Sequence, residues 1–224
     1  MRMFANSTLL NQLLAQHKQR FGARALCPLG LGSLAIVLAA CGAPRPIKYY
    51  QLSYPTAQQT QTQSSVLNVS LLVRTFDSSV LYKDNRIVYA LGPQQLGLYE
   101  GQRWVNPPVD MLQDALIRGL RASGRYRSVM SVRGEGGGEY ALTGSLYEFC
   151  EFDGAQISAR LNYVARLRER KTGLIVWTHN YNHDEPAGEK TVPAIVSAMD
   201  KNVQRSMEEI QAGLLEYFNG NPPK

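Results

Sequence analysis

The sequence predicts a single α+β domain in which a mostly antiparallel, twisted sheet carries two main helices packed on one face. Several segments alternate apolar and polar side chains, as half-buried strands do. Two other segments repeat apolar residues every three or four positions, as amphipathic helices do. Helices gathered on one face of an antiparallel sheet are typical of α+β domains. The chain is long enough for one such domain with a sizeable core.

Three candidate strands occupy the N-terminal part of this domain. The segment "IKYYQLSY" (47–54) alternates well enough to be a first strand, while "VLNVSLLV" (66–73) and "NRIVYALG" (85–92) are rich in β-branched and other apolar residues. We expect the strands at 66–73 and 85–92 to pair with each other or nearby. The polar tract "TAQQTQTQSS" (56–65) has no periodicity and is interpreted as a flexible segment.

The first helix is predicted in "NPPVDMLQDALIRGLRASG" (106–124). Asn106 can cap it, Pro107 or Pro108 suits its first turn, and Ser123-Gly124 can end it. Its apolar stripe consists of Val109, Leu112, Leu116 and Leu120.

More strands and a long helix are predicted after residue 125. The segments "YRSVMSV" (126–132) and "YALTGSLYEFCEF" (140–152) precede "AQISARLNYVARLRER" (155–170), which alternates strictly. A tight hairpin at 171–173 leads into "LIVWTHNY" (174–181). The polar side of the alternating strand, with Arg160, Arg166 and Arg168, is interpreted as a solvated face, and contact with lipid phosphates is the alternative. The final helix has a stripe formed by Val192, Ile195, Met199, Val203, Met207, Ile210, Leu214 and Phe218.

The residue types that usually carry catalysis or bind metals occur in patterns that support neither. The Gly cluster "GEGGGE" (134–139) lacks the spacing of a phosphate-binding loop, and no G-x-S-x-G motif is present. His179 and His183 would suit a metal pair on a helix, but in a strand their spacing corresponds to about 13 Å. Cys150 is interpreted as a small buried hydrophobe. We therefore predict no enzyme activity, no metal and no cofactor.

The first 40 residues have the pattern of a secretory leader. Basic residues precede an apolar run at 29–40, which is too short for the roughly 20 residues that span a bilayer. The run ends in "LAAC", which resembles the lipobox of bacterial lipoproteins, where cleavage precedes a lipid-modified cysteine. The resemblance implies a signal peptide at 1–40 and a Cys41 that carries a diacylglycerol and an N-acyl chain such as palmitate. An ordinary signal peptide or a buried helix is the alternative.

Loss of residues 1–40 would change the charge balance. The chain has 24 Lys and Arg against 18 Asp and Glu, but four of these bases and no acids precede Cys41. The remaining chain has 20 bases against 18 acids, so its charge does not support nucleic-acid binding. Cys27 would leave with the leader and Cys41 would carry lipid, so Cys150 has no intramolecular disulfide partner.

Four further segments carry a family resemblance, which covers roughly residues 48–218. They are "LYKDNRIVYALGPQQLGLYEGQRWVNPPVDMLQDALIRGLRASGRYRSV", "YALTGSLYEF", "ARLNYVARLRERKTGLIVW" and "VPAIVSAMDKNVQRSMEEIQAGL". The most specific part is the aromatic and basic stretch that ends in Arg103-Trp104 before two prolines. In these segments the chain resembles the ABC-type transport auxiliary lipoproteins, the group that contains paraquat-inducible protein C.

This resemblance implies a non-enzymatic, membrane-anchored periplasmic subunit of an MCE-type ABC lipid transport system. Its partners would be an MCE-family protein and the ABC permease and ATPase, and it would act by protein docking between the envelope membranes. Gly42 stands where aspartate retains lipoproteins in the inner membrane of enteric bacteria, so we expect the outer membrane. A lipid- or small-molecule-binding envelope lipoprotein outside an MCE system is the alternative. The predicted organisation is a signal peptide at 1–40, a lipidated segment with the candidate strand at 41–65, the auxiliary lipoprotein domain at 66–218 and a tail at 219–224.

One aromatic and basic cluster is a candidate partner surface, because Trp, Tyr and Arg are over-represented at interface hot spots. It would contact the MCE protein or a neighbouring copy of the chain in a homo-oligomer. The structural alternative is that Trp104 closes the sheet edge while Arg103 pairs with an acid. The cluster consists of Tyr99, Arg103, Trp104, Asn106 and Pro107.

Overall fold

A computed structural model of the protein describes residues 46–53, 66–92, 94–131 and 138–222. The predicted signal peptide, Cys41, the tract at 56–65 and the Gly cluster up to residue 137 lie outside the described residues. The strands are β1 (Lys48–Tyr50), β2 (Leu67–Val73), β3 (Asp77–Ser78), β4 (Arg86–Ala90), β5 (Leu96–Trp104), β6 (Tyr126–Ser131), β7 (Tyr140–Asp153), β8 (Ile157–Glu169) and β9 (Ile175–Pro186). The helices are α1 (Pro108–Ala122) and α2 (Val192–Gly220), and a short 3-10 turn covers Val80–Lys83. These elements confirm the α+β prediction.

The long strand β7 organises the sheet. On one side it pairs with β8 along its whole length, and β9 continues the sheet beyond β8. On its other side β7 pairs with three shorter strands in turn, β2 near its start, β3 in the middle and β4 near its end. The sheet therefore divides into two branches on that side of β7.

Each branch has its own outer strands. β2 is followed by β6 in a parallel pair, while β4 is followed by antiparallel β5 and then by parallel β1 at the edge. Antiparallel pairing dominates by length because β7, β8 and β9 form long hairpins, yet five shorter pairings among the described strands are parallel. The strands predicted at 66–73 and 85–92 do not pair with each other, and both pair with β7 instead.

The two helices lie side by side on one face, with α1 against β2 and β6 and α2 against β8 and β9. Helix α1 begins at Pro108 and its cap position is Pro107, so Asn106 is not the cap that the sequence suggested. A proline has no backbone N–H, so it fits the first turn, where that donor has no partner within the helix. Helix α2 begins after Thr191, whose Oγ1 accepts a hydrogen bond from the Ala194 N–H.

The core lies between the sheet and the helices. The inward side chains of β8, among them Leu161, Tyr163 and Leu167, are fully buried, as strict alternation predicts. Asn202 of α2 joins the layers, because its Nδ2 donates to the backbone oxygens of Ala159 and His183 at 2.8 and 2.9 Å. A buried amide with these partners fixes the helix against both strands.

Candidate functional site

The five residues predicted as a partner surface do not form one surface in the structure. Arg103 lies on the outer face of β5, whereas Trp104 points to the core on the opposite face. Tyr99 is half-buried, and its hydroxyl donates to Glu151 Oε2 at 2.7 Å. Asn106 and Pro107 follow the strand at the start of α1. Strand alternation and the strand-to-helix turn therefore separate the cluster into four environments.

Trp104 occupies the core of the β4–β5 branch. It is 1 % exposed, and its ring meets Phe149 edge to face with centroids 5.5 Å apart. The indole Nε1 has no hydrogen-bond partner among the described residues. Trp104 therefore packs between β5 and the core, in line with the alternative that it has a structural role at the sheet edge. It offers no side-chain surface to a partner in this conformation.

Tyr99 is held in place by Glu151 and by a neighbouring aromatic ring. Its ring lies edge to face against Tyr89, with centroids 5.0 Å apart. Burial and the hydrogen bond to the Glu151 carboxylate raise the pKa of the Tyr99 hydroxyl, so it keeps its proton throughout the neutral range. Tyr99 thus acts as a half-buried hydrogen-bond donor to Glu151.

Arg103 belongs to a row of side chains across three strands. Tyr49 on β1 is in register with Arg103 on β5, and Arg103 is in register with Arg86 on β4. Residues in register share a face of the sheet. Arg103 Nη1 donates to Asn85 Oδ1 at 3.1 Å rather than to an acid, which corrects the expected pairing. The Arg86 guanidinium pairs with Asp84 at 2.9 Å and lowers the pKa of that carboxyl.

Apolar side chains surround this row. Tyr49 is 59 % exposed, Ile47 is 46 % exposed and Val105 is 49 % exposed. Exposed apolar side chains beside arginines are typical of surfaces that contact a partner or a membrane. We call this set, formed by Ile47, Tyr49, Arg86, Arg103 and Val105, the β1 face.

Asn106 lines a polar cleft on the other side of the strand-to-helix turn. The cleft has a volume of about 360 Å³. Its carboxylates are Asp110 and Asp114 of α1, and Arg121 of the same helix lines it as well. The cleft therefore offers carboxylates, a guanidinium and the exposed Asn106 amide, which can form polar contacts with a protein.

An apolar groove runs between α1 and α2. Its volume is about 280 Å³, just below the roughly 300–1,000 Å³ of typical ligand pockets. Small residues of α1, such as Ala115 and Gly119, face Val203 and Met207 of α2 across it. Arg118, which has interaction partners of its own, and Glu208 also line the groove.

The arginines of β8 are engaged within the sheet. Arg160 forms a bidentate pair with Asp184, with two N–O distances of 2.7 Å, and approaches Glu148 at 3.6 Å. Arg166 donates to Ser145 Oγ on β7, and Arg168 donates to the Gly173 backbone oxygen in the turn that follows β8. These contacts favour a structural role for the β8 face over binding of lipid phosphates.

The histidines and the described cysteine do not form a catalytic arrangement. His179 Nε2 is 3.3 Å from Glu209 without hydrogen-bond geometry, and His183 Nε2 is 3.3 Å from Glu185. Cys150 faces the opposite side of the sheet from both histidines. Burial raises the pKa of the Cys150 thiol to about 12, which suppresses the reactive thiolate. Within the described ranges no group of three or more His, Cys, Asp or Glu residues is placed to hold a metal ion.

Most of the chain matches a known protein family. The family model of the ABC-type transport auxiliary lipoprotein component matches residues 50–211. The chain belongs to this family. It is not an enzyme family, and its name indicates association with an ABC-type transport system and a membrane-anchored location in the cell envelope. No curated protein matches the chain.

Solved structures share the fold of this family member at low sequence identity. Protein XCC0632 from Xanthomonas campestris is 18 % identical with a TM-score of 0.67, covering 78 % of this chain and 98 % of that protein. An uncharacterized protein is 14 % identical with a TM-score of 0.57, covering 74 % and 96 % of the two chains. Among the described residues, no helix has the length and hydropathy needed to cross a membrane.

Most of the β1 face was not predicted from the sequence. Arg103 was a candidate residue, whereas Ile47, Tyr49, Arg86 and Val105 were not, because the strand β5 that joins them was not predicted. The stretch "LGLYEGQRW" contains two glycines and a glutamate, which weaken strand propensity. The apolar residues at alternate positions 96 and 98 were the sequence pattern that could have indicated this strand.

Proposed function

We propose that the protein is a lipid-anchored periplasmic subunit of an MCE-type ABC lipid transport system and acts by docking, without chemistry of its own. The observation that carries this proposal is the family match over residues 50–211, since it identifies an auxiliary component of a transporter. The MCE system comes from the resemblance of the sequence segments. The buried Cys150 thiol supports a role without cysteine chemistry.

Anchoring in this proposal depends on Cys41, which follows the apolar run and carries the lipid after cleavage. Gly42 favours the outer membrane, because aspartate at this position is the inner-membrane signal of enteric lipoproteins. Radiolabelled palmitate should enter the wild-type protein and fail to enter Cys41→Ala. Incorporation into both proteins, or into neither, would contradict the proposed anchor.

Partner contact is proposed at the start of α1. Of the five residues first considered, Asn106 is exposed and Pro107 is partly exposed, whereas Trp104 is buried. The adjacent cleft with Asp110 and Asp114 supplies charges that can specify a partner. A second copy of the chain is the other candidate partner for this surface.

Co-purification tests the docking. The tagged lipoprotein, extracted in mild detergent from cells that also produce the MCE protein, permease and ATPase, should retain these proteins. Asn106→Arg combined with Asp110→Lys should reduce their recovery, whereas Lys171→Glu at the distant β8–β9 hairpin should not. Equal recovery with both variants would place the contact elsewhere, and no recovery with the wild type would reject the MCE assignment.

A lipid- or small-molecule-binding role is the second candidate function, and the groove between α1 and α2 is the observation that favours it. Mass spectrometry of the purified protein would detect a phospholipid bound at constant stoichiometry. Gly119→Leu fills the groove, because a side-chain carbon at residue 119 would already lie 3.1 Å from Gln211. Loss of the lipid in this variant would favour binding, while absence of lipid from the wild type would reject it.

A further inference from the structure

The β1 face lies at the point where the described chain begins. Residues 46 and 47 lead directly into β1, which is an edge strand because it pairs only with β5 among the described strands. Six residue steps separate Cys41 from Ile47, so this stretch reaches at most about 20 Å. A domain of this size has a radius of gyration of about 16 Å. A lipid on Cys41 would therefore keep the β1 end of the domain near the bilayer and leave the far end beyond its reach.

The composition of the β1 face matches the interfacial zone of a bilayer. Tyrosine is enriched at that depth, because its ring is apolar and its hydroxyl remains hydrated. Ile47 and Val105 add apolar side chains on either side of Tyr49 and are about half exposed. No other described segment covers these side chains sufficiently to bury them.

The charges near the β1 face favour an anionic surface. The nearby basic residues are Lys83 in the 3-10 turn, Arg86 on β4, Arg103 on β5 and Lys48, which alternates to the other face of β1. The nearby acids are Asp84 and Glu100. Asp84 is already paired with Arg86, while Lys48 and Arg103 form no ion pair with any described residue. Arginine binds phosphate oxygens well, since its guanidinium offers several N–H donors in one plane.

We infer that the β1 face rests on the lipid headgroups of the membrane that holds the Cys41 anchor. Tyr49, Ile47 and Val105 lie at the interface, and Arg103 contacts lipid phosphates. The inference rests on the proposed lipidation of Cys41. The lipid anchor supplies the affinity for the membrane, and the β1 face sets the orientation of the domain on it. In this orientation the β8–β9 hairpin lies at the end of the sheet away from the membrane, and the α1 cleft stays accessible to protein partners.

The β8–β9 hairpin provides a matched control position. Its residue Leu174 is 64 % exposed, similar to Tyr49, and the hairpin adjoins the first residues of β7. The β4 branch pairs with β7 near residues 150–152, about ten residues and roughly 30 Å farther along the strand. A probe at residue 174 therefore reports on the opposite end of the sheet.

The experiment uses the lipidated full-length product in vesicles of phosphatidylethanolamine and phosphatidylglycerol. Tyr49→Cys, Val105→Cys and Leu174→Cys are each labelled with an environment-sensitive fluorophore, and Cys150 stays unlabelled because it is buried. Lipids that carry a spin label near the headgroup should quench the probes at residues 49 and 105 and leave the probe at residue 174 unchanged. Arg103→Glu in the Val105→Cys background should weaken the quenching at residue 105.

Each other outcome has a distinct meaning. Equal quenching at all three positions, or none in protein that floats with the vesicles, would overturn the orientation and leave the anchor intact. Probes at residues 49 and 105 that are shielded from aqueous iodide but not quenched by lipid would show that a second protein copy covers the β1 face, which also overturns the inference. Protein that does not float with vesicles would reject the lipid anchor itself, and the inference with it.

Discussion

Replacing Trp104 by Ala should lower the free energy of unfolding by about 4 kcal/mol. A buried Trp removes roughly 150–250 Å² from water, worth about 4–6 kcal/mol at about 25 cal/mol per Å². The edge-to-face contact with Phe149 adds about 1 kcal/mol. The unpaired indole Nε1 opposes this gain, because a buried donor without a partner costs about 1–3 kcal/mol. The melting temperature should fall by about 8–16 °C.

Two companion substitutions make this prediction specific. Trp104→Phe keeps an aromatic ring in the core and removes the unpaired N–H, so it should cost only about 1 kcal/mol. Arg103→Ala changes the adjacent residue on the outer face, where most substitutions stay within about 0.5 kcal/mol. Urea unfolding of the purified proteins, followed by far-ultraviolet circular dichroism, measures all three free energies.

The order of these effects tests the assignment of faces along β5. A Trp104→Ala protein as stable as the wild type would refute the buried position of the indole. A loss of several kcal/mol in Arg103→Ala would show that Arg103, rather than Trp104, supports the core. A Trp104→Phe protein as unstable as Trp104→Ala would show that the indole N–H has a partner.

The remaining predictions concern the core, the thiol and the location of the protein. Asn202→Ala should destabilise the fold by about 3 kcal/mol in urea unfolding, because it leaves two backbone oxygens and the Tyr181 hydroxyl without their amide partner, whereas exposed Asn182→Ala should stay within about 0.5 kcal/mol. The Cys150 thiol should resist maleimide at pH 8 until the protein unfolds, and rapid labelling of the native state would contradict its burial. Burial raises the pKa values of the Cys150 thiol and the Tyr126 hydroxyl to about 12. Above the thiol's ordinary pKa of 9.0 the folded state therefore keeps a proton that the unfolded state releases. The contribution of these two groups to the free energy of unfolding should be constant below that pH and should fall as the pH rises towards 12. Stability that stays constant over this range in unfolding titrations would exclude this linkage. Gly42→Asp should move the protein from outer-membrane to inner-membrane fractions in a density gradient, and an unchanged distribution would show that another signal sorts it.

Much of the fold was predictable because individual segments repeat the same pattern of apolar and polar residues many times. The alternation in 157–167 buries every second side chain of β8, and the stripe from Val192 to Phe218 buries one side of α2. The hairpin at 171–173 was also correct, since Gly173 takes a positive φ of 76°. Local periodicity suffices for such elements, because each repeats the same preference many times.

Other elements were missed because their sequences give weak local preference. β5 contains glycines and charged residues, and β3 spans only two residues. The pairing of β2 and β4 with β7, rather than with each other, depends on how three short strands share one edge of a longer strand. Pairing between residues 62 to 69 positions apart leaves little trace in either segment alone.

The sequence by itself determined the class of the domain, its family resemblance and the predicted lipid anchor, since each depends on residues that are adjacent or regularly spaced. Only the tertiary structure decided which side chains of the aromatic and basic stretch meet solvent. It placed Trp104 in the core, Arg103 in a row with Tyr49 and Arg86, and Asn106 beside a polar cleft. The physical reason is that a surface is assembled across strands distant in the chain, and strand register sets which of their side chains share a face.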